Sequence, residues 1–330
     1  MTLHFPCPLM QFHARGTNSA IIRAEAKSAL GPFVFRQMVI PPFAHNPTVR
    51  QLHDGTFVLY MIGGTPSTPK QCDNTSSAEN ERNRHQQIGS TAPPAPSPSL
   101  YATGVRVSHS PTIYGPWSEP QSVFMTNRSD LLFGSVTNPS PMFEADGSLH
   151  FAYQAHPQQL PSGRKRDWEL VGVARGKGWQ GPFTPTSPAP VTAESWDCVA
   201  GQDEDPYLWR SPRGYHLLTH GMCPSGYLQA HYKFSLDAVS WVTSPRQTYR
   251  YAMHFADGSS HTFYRVERPQ LAFGTVHADG SVSDPIALYN GVCDDGPDIC
   301  LFNQTGRVYT IARPLRQQGT AAARGALRLP

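Results

Sequence analysis

The chain has no apolar run of about 18 residues, the length a helix needs to cross a bilayer. Its first residues also lack the basic and then apolar stretches of a secretory signal. A soluble protein without a targeting segment is expected, with no membrane partner. Charge is scarce too: 15% of residues are charged, the formal net charge is +3, and the basic residues are scattered apart from Arg164-Lys165-Arg166. That triplet reads as a solvated loop tip, so nucleic acid is not an expected partner. The six cysteines (Cys7, Cys72, Cys198, Cys223, Cys293 and Cys300) include no C-x-x-C pair, which argues against a thiolate zinc site or a redox dithiol. In an oxidising compartment Cys293 could pair with Cys300, and Cys198 with Cys223. Three sequons, at Asn74, Asn127 and Asn303, fit secretion but also arise by chance, which leaves localisation open.

What is present points to strands. A hydrophobic content of 39% suffices for a buried core, and 32 Pro with 27 Gly imply frequent turns. Residues 1–330 are expected to form one all-β domain. Residues 65–99, rich in Pro, Ser, Asn and Gln, read as a low-complexity surface insert, and 317–330 as a flexible tail.

A repeat organises the chain. First halves read as a turn and two strands: His45-Asn46-Pro47-Thr48-Val49 before Asp54-Gly55, and Asn138-Pro139-Ser140-Pro141 before Asp146-Gly147. Two more begin Glu204-Asp205-Pro206 and Glu267-Arg268-Pro269. Second halves end in Gly-Pro-aromatic, at Gly31-Pro32-Phe33, Gly115-Pro116-Trp117 and Gly181-Pro182-Phe183. A fourth is degenerate and ends Asp237-Ala238-Val239-Ser240-Trp241. Alternating apolar residues between Asp-Gly and Gly-Pro turns favour hairpins. Four strands per unit make a propeller blade, a better account of recurring motifs than a generic β-sandwich. Trp117, Phe183 and Trp241 read as blade-packing residues.

With these motifs in this order, the chain resembles the family 43 glycoside hydrolases and their arabinanase- and xylosidase-type relatives over nearly its whole length. Ala44-His45-Asn46-Pro47 is similar to a second-blade opening, Asn138-Pro139 to a third, and Glu204-Asp205-Pro206 to a fourth. The resemblance implies a five-bladed β-propeller whose first blade is incomplete, holding only its outer half from about Phe12 to Phe35. It also implies three axial carboxylates: a base on the first blade, an acid on the fourth and a tuning Asp on the third. Glu204 matches the acid. Asn138 stands at the third-blade position and brings no charge. The strand carrying the base would lie before Met1, so a weak or inactive hydrolase is expected. Some relatives hold calcium in the central channel, and that remains open here; no other cofactor or metal is expected.

In an inverting glycosidase one carboxylic acid protonates the leaving oxygen while a carboxylate opposite activates water. Asp203 and Asp205 would raise the pKa of Glu204 by like-charge repulsion, if they point the same way. Asn46 and Asn138 precede Pro and read as turn starters or as axial ligand-binding residues. His45 and His220 lie near the expected cleft, where an imidazole could meet sugar hydroxyls or a metal. Arg268 could clamp the carboxylate of an acidic sugar or pair with Glu267 or another acid. The expected partner is a poly- or oligosaccharide, with an inverting hydrolase first, a non-catalytic carbohydrate-binding propeller second, and a protein-binding scaffold third.

Overall fold

The computed structural model describes residues 2–6, 19–41, 44–63, 104–123, 135–156, 170–187, 190–191, 203–221, 230–255, 257–294 and 308–315. The expected insert, the C-terminal tail, the three sequons and every cysteine except Cys293 lie outside them. Cys293 is disulfide-bonded. All regular structure among the described residues is strand.

Three sheets have four antiparallel strands. The first comprises β4 (Ala44–Gln51), β5 (Phe57–Gly63), β6 (Val105–Ser110) and β7 (Gln121–Ser122). The second comprises β8 (Ser135–Phe143), β9 (Leu149–His156), β10 (Leu170–Gly176) and β11 (Phe183–Pro185). The third comprises β12 (Asp203–Ser211), β13 (Gly214–Gly221), β14 (Ala230–Ser235) and β15 (Val242–Thr243). A two-stranded ribbon follows, β16 (Ala252–His254) with β17 (Ser260–Thr262). Two sheets have three strands: β1 (Thr2–Pro6), β2 (Ser19–Glu25) and β3 (Val34–Ile40), and β18 (Arg265–Phe273), β19 (Pro285–Cys293) and β20 (Val308–Pro314).

The turn signals act through local hydrogen bonds. Asp54, Asp146, Asp257 and Asp279 each accept, on Oδ1, the N–H two residues ahead at 2.9, 2.9, 2.9 and 3.0 Å. The following Gly takes φ of +80 to +88°, open to glycine at no steric cost. In the degenerate turn Asp237 substitutes for Gly-Pro, with Oδ1 accepting from the amides of Val239 and Ser240, both at 2.8 Å.

Sheets stack face to face, so second strands are buried on both sides. In β5, Val58 and Tyr60 join a cluster with Phe151, Tyr153 and Phe183 of the next blade. Leu59 and Met61 face the other way, onto Ile21 and Ile40. Full burial of each such side chain contributes about 1.5–3 kcal/mol. Similar clusters join β8–β11 to β12–β15, through Val173 and Leu217, and β12–β15 to β18–β20, through Trp209 and Leu288. The β1–β3 sheet completes the circuit by packing on β19 as well: Tyr289 donates to the Ala29 carbonyl at 2.6 Å, and its ring meets Phe33 edge-on.

The fold is thus a β-propeller, with a corrected blade count. Four sheets supply an axial strand (β4, β8, β12 and β18), so four blades line the axis rather than five. Among the described residues the β1–β3 sheet supplies none. It corresponds to the incomplete first unit, whose outer hairpin Gly31-Pro32-Phe33 marks. At the axis β4 and β18 meet directly, through Arg268, Asn46 and His45.

Candidate active site

Each axial strand opens with the same local device. Asn46, Asn138, Asp205 and Arg268 have φ of 47, 49, 51 and 51°, and each is followed by Pro. The ladder shifts register there, between His45 and Thr48, Thr137 and Ser140, Glu204 and Tyr207, and Glu267 and Gln270. Proline has no N–H for the ladder and is accommodated at a bulge, which re-aims the neighbouring side chain. Asn and Asp tolerate left-handed backbone; Arg is the exception among the four.

The four re-aimed side chains form a closed ring. Asn46 Nδ2 donates to Asn138 Oδ1, and Asn138 Nδ2 donates to Asp205 Oδ1 at 2.8 Å and to Gln154. The Arg268 backbone N–H reaches Asp205 Oδ2 at 3.2 Å, and Arg268 Nε reaches Asn46 Oδ1 at 2.8 Å.

Beside the ring lies a charged cluster. Glu204 Oε1 is 3.1 Å from His220 Nδ1, and His220 Nε2 is 2.8 Å from the Tyr251 hydroxyl. Glu267 pairs with Arg265 and, at 3.4 Å, with Arg268 NH1. Arg268 NH2 is 3.1 Å from His45 Nε2. Of the four acids in this region, Glu204 keeps the most exposed side chain, at 14% against 1% for Asp203, 5% for Asp205 and 2% for Glu267.

Electrostatics differ from the sequence expectation. Burial pushes the Glu204 carboxyl up, but the His220 hydrogen bond and the charges of His220, Arg265 and Arg268 outweigh it and hold the group low. The upward shift falls on Asp205, through burial first and then repulsion from Glu204 and Glu267, with Arg268 opposing. Burial lowers the His220 pKa, and its bond to Glu204 with the nearby carboxylates more than reverses this. Asp203 does not point the same way as Glu204. Strand alternation turns it into the blade, where it meets Lys233 Nζ at 2.5 Å and His231 Nδ1 at 2.6 Å.

The structure therefore gathers Glu204, Asp205, His220, Arg268, His45, Asn46 and Asn138 at one end of the axis and leaves Asp203 out. Arg268 takes the pairing alternative, its guanidinium engaged by Asn46, Glu267 and His45. Glu267 was missed, although it stands two residues before Pro, as Glu204 does. Tyr251 and Arg265 have no counterpart in the repeat that would have singled them out.

Glu204, His220 and Glu267 present ligand atoms within 4.8 Å of one another. Glu267 is committed to two arginines, however, and the ring holds a guanidinium among its oxygens. Calcium takes six to eight oxygen ligands, and a fixed cation among them is repulsive. The residues at the axis do not fit calcium.

No protein-family model matches the chain, and no curated protein matches it by sequence. Solved structures do match in shape. An α-L-arabinofuranosidase from Lactobacillus brevis aligns with a TM-score of 0.53 at 13% identity, over 95% of this chain and 86% of that one. An endo-arabinase from Bacteroides thetaiotaomicron aligns at 0.51 and 11% identity, over 96% and 90%. A family 117 glycoside hydrolase from Zobellia galactanivorans aligns at 0.50 and 12% identity, over 94% and 89%. At such identities the likeness speaks for the propeller fold alone.

Proposed function

We propose that the protein is a glycoside-hydrolase-like propeller that takes a poly- or oligosaccharide at the axial mouth, with Glu204 as its principal polar contact. One observation carries this reading: Glu204 is the acid there whose side chain keeps most access to solvent, held by His220, which is itself held by Tyr251. The carboxylate accepts from sugar hydroxyls, while the buried His220, both ring nitrogens engaged, and Tyr251 fix its position. The names of two structural neighbours, an arabinofuranosidase and an endo-arabinase, direct the first trials to arabinose-containing glycans.

Recognition is better supported than turnover. Inversion needs a second carboxyl about 6.5–9.5 Å from the acid, with room for water. Glu267 lies closer, within the 4.8 Å cluster, and is tied to two arginines; Asp205 is buried, bonded to Asn138 and the Arg268 N–H, and has a raised pKa; Asn46 and Asn138 present amides. Hydrolysis would draw its base from outside this group of residues. The proton for a leaving oxygen would pass from His220 Nδ1 to Glu204 along their 3.1 Å contact.

The test is calorimetric binding, together with sugar release, on arabinose-, xylose- and galactose-containing substrates. If sugar is released, Glu204→Gln is expected to lower turnover by about two to four orders of magnitude while affinity stays within a few-fold. If none is released, the same variant is expected to weaken binding by roughly ten-fold or more, the loss of a charged hydrogen-bond acceptor. Absence of binding to every glycan, or a Glu204→Gln protein indistinguishable from wild type in both assays, overturns the proposal.

A further inference from the structure

Arg268 is anomalous among the four bulge residues. The other three are Asn or Asp, which adopt a φ near +50° readily because their short side chains bond locally. An arginine held at 51° is strained, and such strain persists only where surrounding contacts enforce it. Those contacts are mostly oxygens. Asn46 Oδ1 lies 2.8 Å from Nε, Asp205 Oδ1 3.9 Å from Nε, and Glu267 Oε2 3.4 Å from NH1, with His45 Nε2 3.1 Å from NH2. The hydrogen bonds run in a circuit: Arg268 Nε to Asn46, Asn46 to Asn138, Asn138 to Asp205, with the backbone N–H of Arg268 also reaching Asp205. Strands β4, β12 and β18 have thus turned amide and carboxylate oxygens toward the guanidinium, with Asn138 of β8 bonded to two of the residues that supply them, and the group found there is a cation on a side chain.

We propose that Arg268 is a tethered cation occupying the hub of the propeller, which excludes divalent metal from the ring, and that removing its guanidinium converts the ring into a divalent-cation site. The chemistry is that of a hard oxygen cage. Asn46, Asn138 and Asp205 offer side-chain oxygens, and Glu267, released from Arg268, offers another carboxylate. Calcium or a lanthanide accepts such ligands without demanding a rigid geometry. The exclusion is electrostatic: a second positive charge a few ångströms from a largely buried guanidinium is repelled, with less screening there than in water. This proposal is independent of whether the mouth binds or hydrolyses a glycan.

The experiment uses the full chain, wild type and Arg268→Asn, after exhaustive chelation. Asn restores a residue suited to the left-handed backbone and adds an amide oxygen. Each protein is titrated with terbium, read by luminescence sensitised through neighbouring tyrosines, and melted with millimolar calcium or with EDTA. Wild type is expected to show no saturable terbium signal and no change in melting temperature. Arg268→Asn is expected to bind one terbium per chain, and calcium at about 50 times its Kd should raise its melting temperature by roughly 3 °C. The further change Asp205→Asn, made in the Arg268→Asn protein, should abolish that gain. Saturable binding by wild type overturns the proposal, as does a folded Arg268→Asn protein that binds no metal. If Arg268→Asn is unfolded in EDTA, refolding on calcium addition supports it; failure to fold in either condition refutes the equivalence of guanidinium and metal.

Discussion

Lys233 has no exposed side-chain surface, and its ammonium lies 2.5 Å from an Asp203 carboxylate that is 1% exposed. Changing Lys233 to Met keeps most of the apolar stem and removes the charge, which leaves His231 as the remaining side-chain partner of Asp203 among the described residues. Breaking a buried pair from one side costs about 3–5 kcal/mol, because an uncompensated charge stays buried. With an unfolding entropy near 2.1 cal/mol/K per residue, a chain of this length should lose about 4–7 °C in melting temperature. Burial pushes the Asp203 carboxyl up, but Lys233 and His231 outweigh it and hold the pKa well below its ordinary value. A depressed carboxylate pKa contributes stability that is fully present above the unfolded value of about 4 and is lost as pH falls through the folded value. The gap between wild type and Lys233→Met should therefore be widest near neutral pH and narrow below about pH 4, where protonation relieves the stranded carboxylate. Calorimetric melts at pH 7 and pH 3.5, completed by Asp203→Leu alone and by the double variant Asp203→Leu with Lys233→Met, give the coupling directly. A loss under 1 °C at pH 7, or a gap that widens in acid, refutes the reasoning.

Asp205 should behave with the opposite sign. Its pKa is raised in the folded protein, so stability should fall as pH rises from the ordinary carboxylate range toward the raised value, and Asp205→Asn should flatten that slope in a series of melts from pH 4 to pH 8. A Cβ added at Gly176 would lie 2.5 Å from the buried ring of Phe183, so Gly176→Ala should cost about 1–3 kcal/mol by overpacking. Urea denaturation reads that loss, and Gly178→Ala, whose Cβ would meet nothing within 4 Å, is the control.

Much of the fold was legible because its punctuation is chemical. Asp54-Gly55 and Asp146-Gly147 announce turns through an Asx bond and a positive φ, both properties of those residue types alone. The repeated X-Pro of the axial strands marked the positions that meet at the axis, though not why they do so, since a bulge depends on its partner strand. The first unit is expected from sequence to be an outer half alone, and the β1–β3 sheet that carries Gly31-Pro32-Phe33 supplies no axial strand among the described residues, which leaves four blades on the axis rather than five. Asp203 was misassigned because one step along a strand reverses the face, and the register of β12 is set by β13. The charge state of Glu204 was out of reach for a related reason: it depends on Arg265 and His220, which the chain brings from positions 61 and 16 residues away.

The hub also bears on when the protein becomes whole. Asn46 and Arg268 touch across 222 residues of chain, so their contact is strongly non-local. During synthesis the first three axial strands emerge and can stack while the fourth is still unmade, and until Arg268 appears the oxygens of Asn46 and Asp205 have no cation to turn toward. Loop-closure entropy grows only slowly with length, yet it must be met before such a contact gives anything back. The ring should therefore be among the last features to form and the first to open. Amide exchange at the Arg268 backbone N–H would time the maturation of the whole chain better than any blade core.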